Sequence, residues 1–253
     1  MGGGRLMTKQ RRLHNQGGKR GNGWKRGMEN LIIALGDSGE DAVQPMLGVV
    51  KLEHNSSEGD LWHKRLNAAI QVKTGGNTDH VSIRESQLDT HLVQCQGFPY
   101  SHCWYVFVKY RNRKRREDGR NLRLFQETVQ EESEVPDFLG RHLKGVYVVD
   151  IKIVDALRHK LGATGWVRHG NGLFPSLEIG WRFFEKLRHS SEDVFRAVGL
   201  DPRCFRVRSH QAETKFSGHT LKFPFLYALD SRLEKRRRIS FPVLKATEAS
   251  KTA

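Results

Sequence analysis

The residues best suited to chemistry stand together in the stretch 66–75, Leu-Asn-Ala-Ala-Ile-Gln-Val-Lys-Thr-Gly. Read as a β-strand, its successive side chains alternate between two faces. Ala68, Ile70 and Val72 form an apolar row fit to bury against a helix layer. Ala69, Gln71 and Lys73 form a second row that turns polar. A buried strand that sets an amide beside an amine must give both groups partners or a use. Mg²⁺ is a hard cation that takes oxygen ligands, usually one or two carboxylates with waters and substrate phosphate, so nearby acids matter. The acids within reach are Asp37, Glu40 and Asp41 upstream, and Asp60 eleven residues before Gln71. Asp41 lies nearest a candidate partner strand over Met46–His54 and is preferred. Asp60 falls in Asn-Ser-Ser-Glu-Gly-Asp, which has the composition of a solvated hairpin connection. A plainer reading of the strand stands beside this one, in which Gln71 and Lys73 simply reach solvent at a sheet edge.

An acid at the mouth of one strand, followed by Gln-x-Lys on its neighbour, resembles the PD-(D/E)xK nuclease superfamily. The glutamine in place of the usual second acid resembles its Mrr-like branch. The likeness covers roughly residues 28 to 155. It implies an α/β fold with a mixed central β-sheet flanked by helices, a restriction-endonuclease-like core. It also implies hydrolysis of phosphodiester bonds in DNA with Mg²⁺ or Mn²⁺. Asp41, the Gln71 amide oxygen and the Val72 carbonyl would then hold the ion, and Lys73 would act on the attacking water. In that superfamily a glutamate on the helix before the first strand often joins the metal site. Glu29 is therefore an accessory candidate, against the commoner role of a first-turn glutamate favoured by the helix dipole. Because a neutral amide binds a cation more weakly than a carboxylate, the alternative is a non-catalytic nucleic-acid-binding or assembly protein. That protein would keep a degenerate nuclease fold or have an unrelated one.

Charge points to a polyanionic partner. The chain carries a net +15, and the ends hold most of it: residues 1–27 have eight Lys/Arg and no acid, and residues 231–253 have seven Lys/Arg against two acids. Arg11, Arg12, Lys19, Arg20, Lys25 and Arg26 in the first arm, and Arg236, Arg237 and Arg238 in the second, are suited to phosphates. Such contacts give affinity without sequence information. Residues 109–123 add eight Lys/Arg and two acids around Asp118-Gly119, a hairpin-turn dipeptide. Arg113, Lys114, Arg115 and Arg116 there could grip a backbone. Double-stranded DNA is the expected partner. A protein that supplies specificity and a second copy of the chain are further candidates. No apolar run is long enough for a membrane span, and neither arm has an amphipathic apolar face. Three cysteines imply no disulfide framework and leave the cytoplasm as the expected location. His91, Cys95, His102 and Cys103 fit no zinc spacing and read as a buried cysteine and surface histidines.

The elements that must position the polar row follow from periodicity. Met28, Leu31, Ile32 and Leu35 recur at helical spacing, with Gly36 placed as a C-cap. Asp37 to Asp41 then read as an acidic loop. Beyond the central strand come a short strand over 80–83, a helix over 87–95 and the apolar, β-rich run 104–110. A strand over 145–151 and a helix over 154–161 follow, then helices over 177–187 and 191–198 and short strands over 204–208 and 222–227. The expected organisation is a disordered basic arm (1–27), a nuclease-like core (28–162), a C-terminal extension packed on it (163–230) and a basic tail (231–253).

Overall fold

The computed structural model describes residues 28–52, 59–76, 80–96, 100–115, 121–171, 174–235, 239 and 241–242. The chain opens with α1 (Met28–Leu47), β1 (Val50–Lys51), β2 (Leu61–His63), β3 (Ala68–Gly75), β4 (His80–Arg84) and α2 (Glu85–Gln96). It continues with β5 (His102–Tyr110), β6 (Arg113–Arg115), β7 (Asn121–Arg123), α3 (Leu124–Thr128), α4 (Val135–His142), β8 (Leu143–Asp150) and α5 (Ile151–Arg158). Last come β9 (Val167–His169), β10 (Ser176–Gly180), α6 (Trp181–His189), α7 (Ser191–Ala197), β11 (Phe205–Phe216), β12 (His219–Asp230) and α8 (Ser231–Lys235).

A seven-stranded sheet in the order β1-β2-β3-β5-β8-β12-β11 forms the frame. It is mixed: β3 runs parallel to β5 and β8 to β12, while the other neighbours are antiparallel. This is the expected class, an α/β protein whose mixed central sheet is flanked by helices. The middle strands are apolar on both faces, as strands covered on both sides must be. On β5, Trp104, Val106 and Val108 join the core beneath α1 and α4. Cys103, Tyr105 and Phe107 join a second core under α5, α6, α7 and a small sheet, β4-β10-β9. β3 keeps the same division, with Ala68, Ile70 and Val72 in the first core and Ala69 in the second.

Several expectations change. Gly36 does not end the first helix, because Ser38, Gly39, Ala42, Val43, Met46 and Leu47 continue its buried face. The cap is Gly48, whose φ of +67° suits a residue without Cβ and whose N–H bonds Gln44 O at 3.1 Å. The acidic loop is therefore helix, and the strand expected over 46–54 shrinks to Val50–Lys51. Leu177 lies on β10, so the helix expected from there begins at Trp181. Residues 163–230 do more than cover a core: β12 pairs with β8 inside the main sheet, and β10 completes the sheet of β4. The basic tail also sends Phe241 wholly into the first core, against His63, Trp104, Phe225 and Tyr227. Cys95 and Cys103 form a disulfide from the end of α2 to the start of β5, and His91 is buried beside Tyr105 rather than at the surface. Among the described residues no helix is long and apolar enough to cross a membrane.

Candidate active site

The antiparallel register of β2 and β3 sets Leu61 opposite Ile70, so the next residue out, Asp60, falls opposite Gln71. Asp60 N donates to Ile70 O at 2.9 Å, and Leu52 N donates to Asp60 O at 2.9 Å. With its backbone held on both sides, the Asp60 side chain turns onto β3. Its Oδ2 accepts from Val72 N at 2.7 Å and also from Gln71 Nε2. In extended chain the N–H and C=O of one residue point to the same edge. The Val72 carbonyl therefore lies on the edge that Asp60 occupies.

Gln71 is buried, and in the parallel β3–β5 register it stands beside Tyr105. The Tyr105 hydroxyl is buried with no hydrogen-bond partner among the described residues. Burial pushes its pKa up, and the charge of Asp60 adds to this. Lys73 lies one step along the same row. Burial pushes its amine down, Asp60 pulls it back up, Arg84 opposes its charge and Glu40 favours it.

Glu40 comes from the other layer. α1 passes so close to β3 that a Cβ on Gly39 would sit 1.9 Å from Thr74 Oγ1. Glycine permits this approach, which brings the next residue, Glu40, into electrostatic contact with Asp60 and Lys73. Burial, then the charge of Asp60, raise the Glu40 carboxyl to about 7, while Lys51 works the other way. Lys51 Nζ lies 3.2 Å from Glu40 Oε2 and 3.1 Å from Asp41 Oδ1. Asp60 is raised as well, mainly by burial, against the lowering effects of Val72 N–H, Lys73 and Gln71.

Two acids, each penalised in its charged form mainly by burial, form a place that a divalent cation would relieve. The oxygens at hand are the Glu40 and Asp60 carboxylates, the Gln71 amide and the Val72 carbonyl. No group of three or more His, Cys, Asp or Glu gathers among the described residues. Mg²⁺ does not require one: one or two carboxylates with neutral oxygens, waters and substrate phosphate suffice. The donor set fits the ion.

The preferred first acid does not join this group. Glu40 and Asp41 are adjacent on a helix and so diverge by about 100°. The Glu40 side chain is 14 % exposed, whereas that of Asp41 is 55 % exposed and turned to Lys51. Asp60 stands where Asp41 was expected. Glu29 is exposed in the first turn of α1, about 16 Å along the axis from Glu40 at 1.5 Å per residue, too far to share its ion. Glu40 is the upstream acid that the sequence reading sets behind Asp41. Its signal was the apolar spacing that runs on through Ala42, Val43 and Met46. Arg113, Lys114 and Arg115 form β6, paired with β7 as the expected basic hairpin. Arg116, the arm residues Arg11, Arg12, Lys19, Arg20, Lys25 and Arg26, and the tail residues Arg236, Arg237 and Arg238 lie outside the described residues. In comparisons with known proteins, no family model, no curated protein and no solved structure matches the chain.

Proposed function

We propose that the chain is a nuclease that hydrolyses phosphodiester bonds in DNA with Mg²⁺ or Mn²⁺. The observation that carries the reading is the Asp60 carboxylate held on the Gln71 amide and the Val72 N–H, one residue from the half-buried Lys73. In this account Glu40, Asp60, the Gln71 amide oxygen and the Val72 carbonyl would hold the ion. When bound, such an ion supplies charge neutralisation at the phosphate and acidifies a water. Lys73 orients the attacking water through Nζ. Because burial disfavours its charge, the amine can also take a proton from that water and pass it to the departing oxygen or to solvent. Lys51 pairs with Glu40 and Asp41, and an ion held by Glu40 would leave it available to a phosphate. The β6–β7 hairpin and the two basic arms hold the polyanion without reading its sequence.

The test is cleavage of supercoiled plasmid by the full chain with Mg²⁺ or Mn²⁺. Asp60→Asn and Lys73→Met should each abolish cleavage, and Asp41→Asn should retain most of it. Wild-type protein inert with both ions overturns the reading. Loss in Asp41→Asn with activity kept in Asp60→Asn overturns the assignment of the acid.

A further inference from the structure

Near the candidate centre the small sheet presents an aromatic ring and a cation that the proposed chemistry does not use. β4 follows β3 in the chain and ends in Arg84, which stands opposite Ser176 of β10. Glu85 N then donates to Pro175 O at 3.0 Å, which continues the pairing and places Phe174 beyond the end of β4. The guanidinium carbon of Arg84 stands 5.3 Å from the centre of the Phe174 ring. Phe174 is 57 % exposed, whereas Phe107, Phe183 and Phe184 are wholly buried. A phenyl ring left in water forgoes the gain of burial, and Phe174 lies outside both core clusters. β4 itself packs over the face of the main sheet that carries Gln71 and Lys73, since Val81 and Ile83 share the second core with Ala69 and Tyr105.

An exposed ring backed by a guanidinium suits one ligand class well. Every nucleobase has a π-face that stacks on an aromatic side chain, and arginine can hold the phosphate beside it. In a closed duplex those faces are covered by neighbouring bases, so such a platform acts only on an unpaired nucleotide. The chain's net charge of +15 suits a polyanion. We infer that Arg84 and Phe174 form a platform for one unpaired nucleotide next to the phosphate at the centre. The preferred substrate is then a nucleic acid with a single-stranded or splayed segment. The inference rests on the nuclease reading for which bond is cut, but not for the stacking itself.

The experiment uses the full chain in EDTA. Its probes are a single-stranded oligonucleotide carrying 2-aminopurine and a blunt duplex of the same sequence. Binding should quench the 2-aminopurine of the single strand. Phe174→Ala should abolish the quench and weaken single-strand binding by about tenfold, while duplex binding is unchanged and Phe174→Trp restores both signals. Arg84→Gln should flatten the slope of log K against log salt by about 0.7. Because the ring is exposed, Phe174→Ala should keep the wild-type Tm, which excludes misfolding as the cause. An unchanged single-strand affinity, or an equal loss for single strand and duplex, overturns the platform. The same result would leave the ring to a protein partner. Plasmid cleavage separates the two readings. A Phe174-dependent quench in a chain that never cleaves sinks the nuclease and keeps the platform, and cleavage without the quench does the reverse.

Discussion

Glu40→Gln removes one charge from the centre while keeping its shape, and the direction of the effect can be worked out. Burial and the charge of Asp60 raise the Glu40 carboxyl from the ordinary 4.5 to about 7. Well below pH 4.5 the folded and unfolded chains both hold the proton, so charge contributes nothing. Between 4.5 and about 7 only the folded chain holds it, and stability falls as pH rises. Above about 7 both states are ionised and the loss is complete. At 1.36 kcal/mol per pH unit the full interval would cost about 3 kcal/mol. Discounted for the solvent that still reaches Glu40, this becomes about 1–2 kcal/mol. In a chain of this size each kcal/mol moves Tm by about 2–4 °C. Without divalent ions, Glu40→Gln should therefore melt about 2–8 °C above wild type at pH 8 and close to it at pH 4. With Mg²⁺ at about a hundredfold its Kd, wild type should gain about 2.7 kcal/mol, and the variant, short of one carboxylate, much less. Calorimetry at both pH values, with and without Mg²⁺, reads all four cases. If the advantage of the variant does not grow with pH, the buried-acid account is refuted. A variant that keeps the full Mg²⁺ gain removes Glu40 from the ion's ligands.

Gln71→Glu replaces the N–H that Asp60 Oδ2 accepts with a second carboxylate, so the ion-free protein should lose about 1–3 kcal/mol while the Mg²⁺ midpoint of thermal stabilisation falls. Gln71→Ala should raise that midpoint, and identical midpoints in all three forms would separate Gln71 from the ion. Gly39→Ala gains about 1 kcal/mol of helix propensity but drives a methyl into Thr74, at an overpacking cost of about 1–3 kcal/mol. The expected result is a lower Tm and displaced Glu40, partly rescued by Thr74→Ala. Equal Tm in Gly39→Ala and wild type would show that α1 can ride up from β3 without cost.

The two-faced reading of β3 holds because alternation depends only on local geometry. Ile70 and Val72 face the core under α1, while Gln71 and Lys73 share the opposite row with Ala69. The runs that became β5 and β8 were legible for a related reason, since strands buried on both faces show as unbroken apolar sequence. The length of α1 was not legible from Gly36. A glycine can cap a helix or lie within it, and only the residues beyond decide. Here Ala42, Val43, Met46 and Leu47 bury enough apolar surface to carry the helix through Gly36, Gly39 and even Pro45 in its last turns. With the acidic segment drawn as a loop, the divergence of Glu40 from Asp41 had no basis.

The choice of acid depended on a contact between two chain segments, which composition cannot supply. Asn55 to Asp60 looks like a solvated connection, and residues 53–58 lie outside the described residues. Asp60 itself is the outermost position of the β2–β3 pairing. Its partner is fixed by register once Leu61 meets Ile70, and a shift of one residue would turn its side chain to the other face. This has a mechanical consequence. Val72 N–H is satisfied by the Asp60 side chain, and Asp60 N–H by the Ile70 carbonyl. The acid is thus bonded to the backbone on both sides of Gln71, and that strand also carries Lys73. Acid, amide and amine keep their spacing as one unit, while Glu40 reaches them from a separate layer across the Gly39–Thr74 contact. An ion held between them would therefore find its slack at that contact or at Lys51.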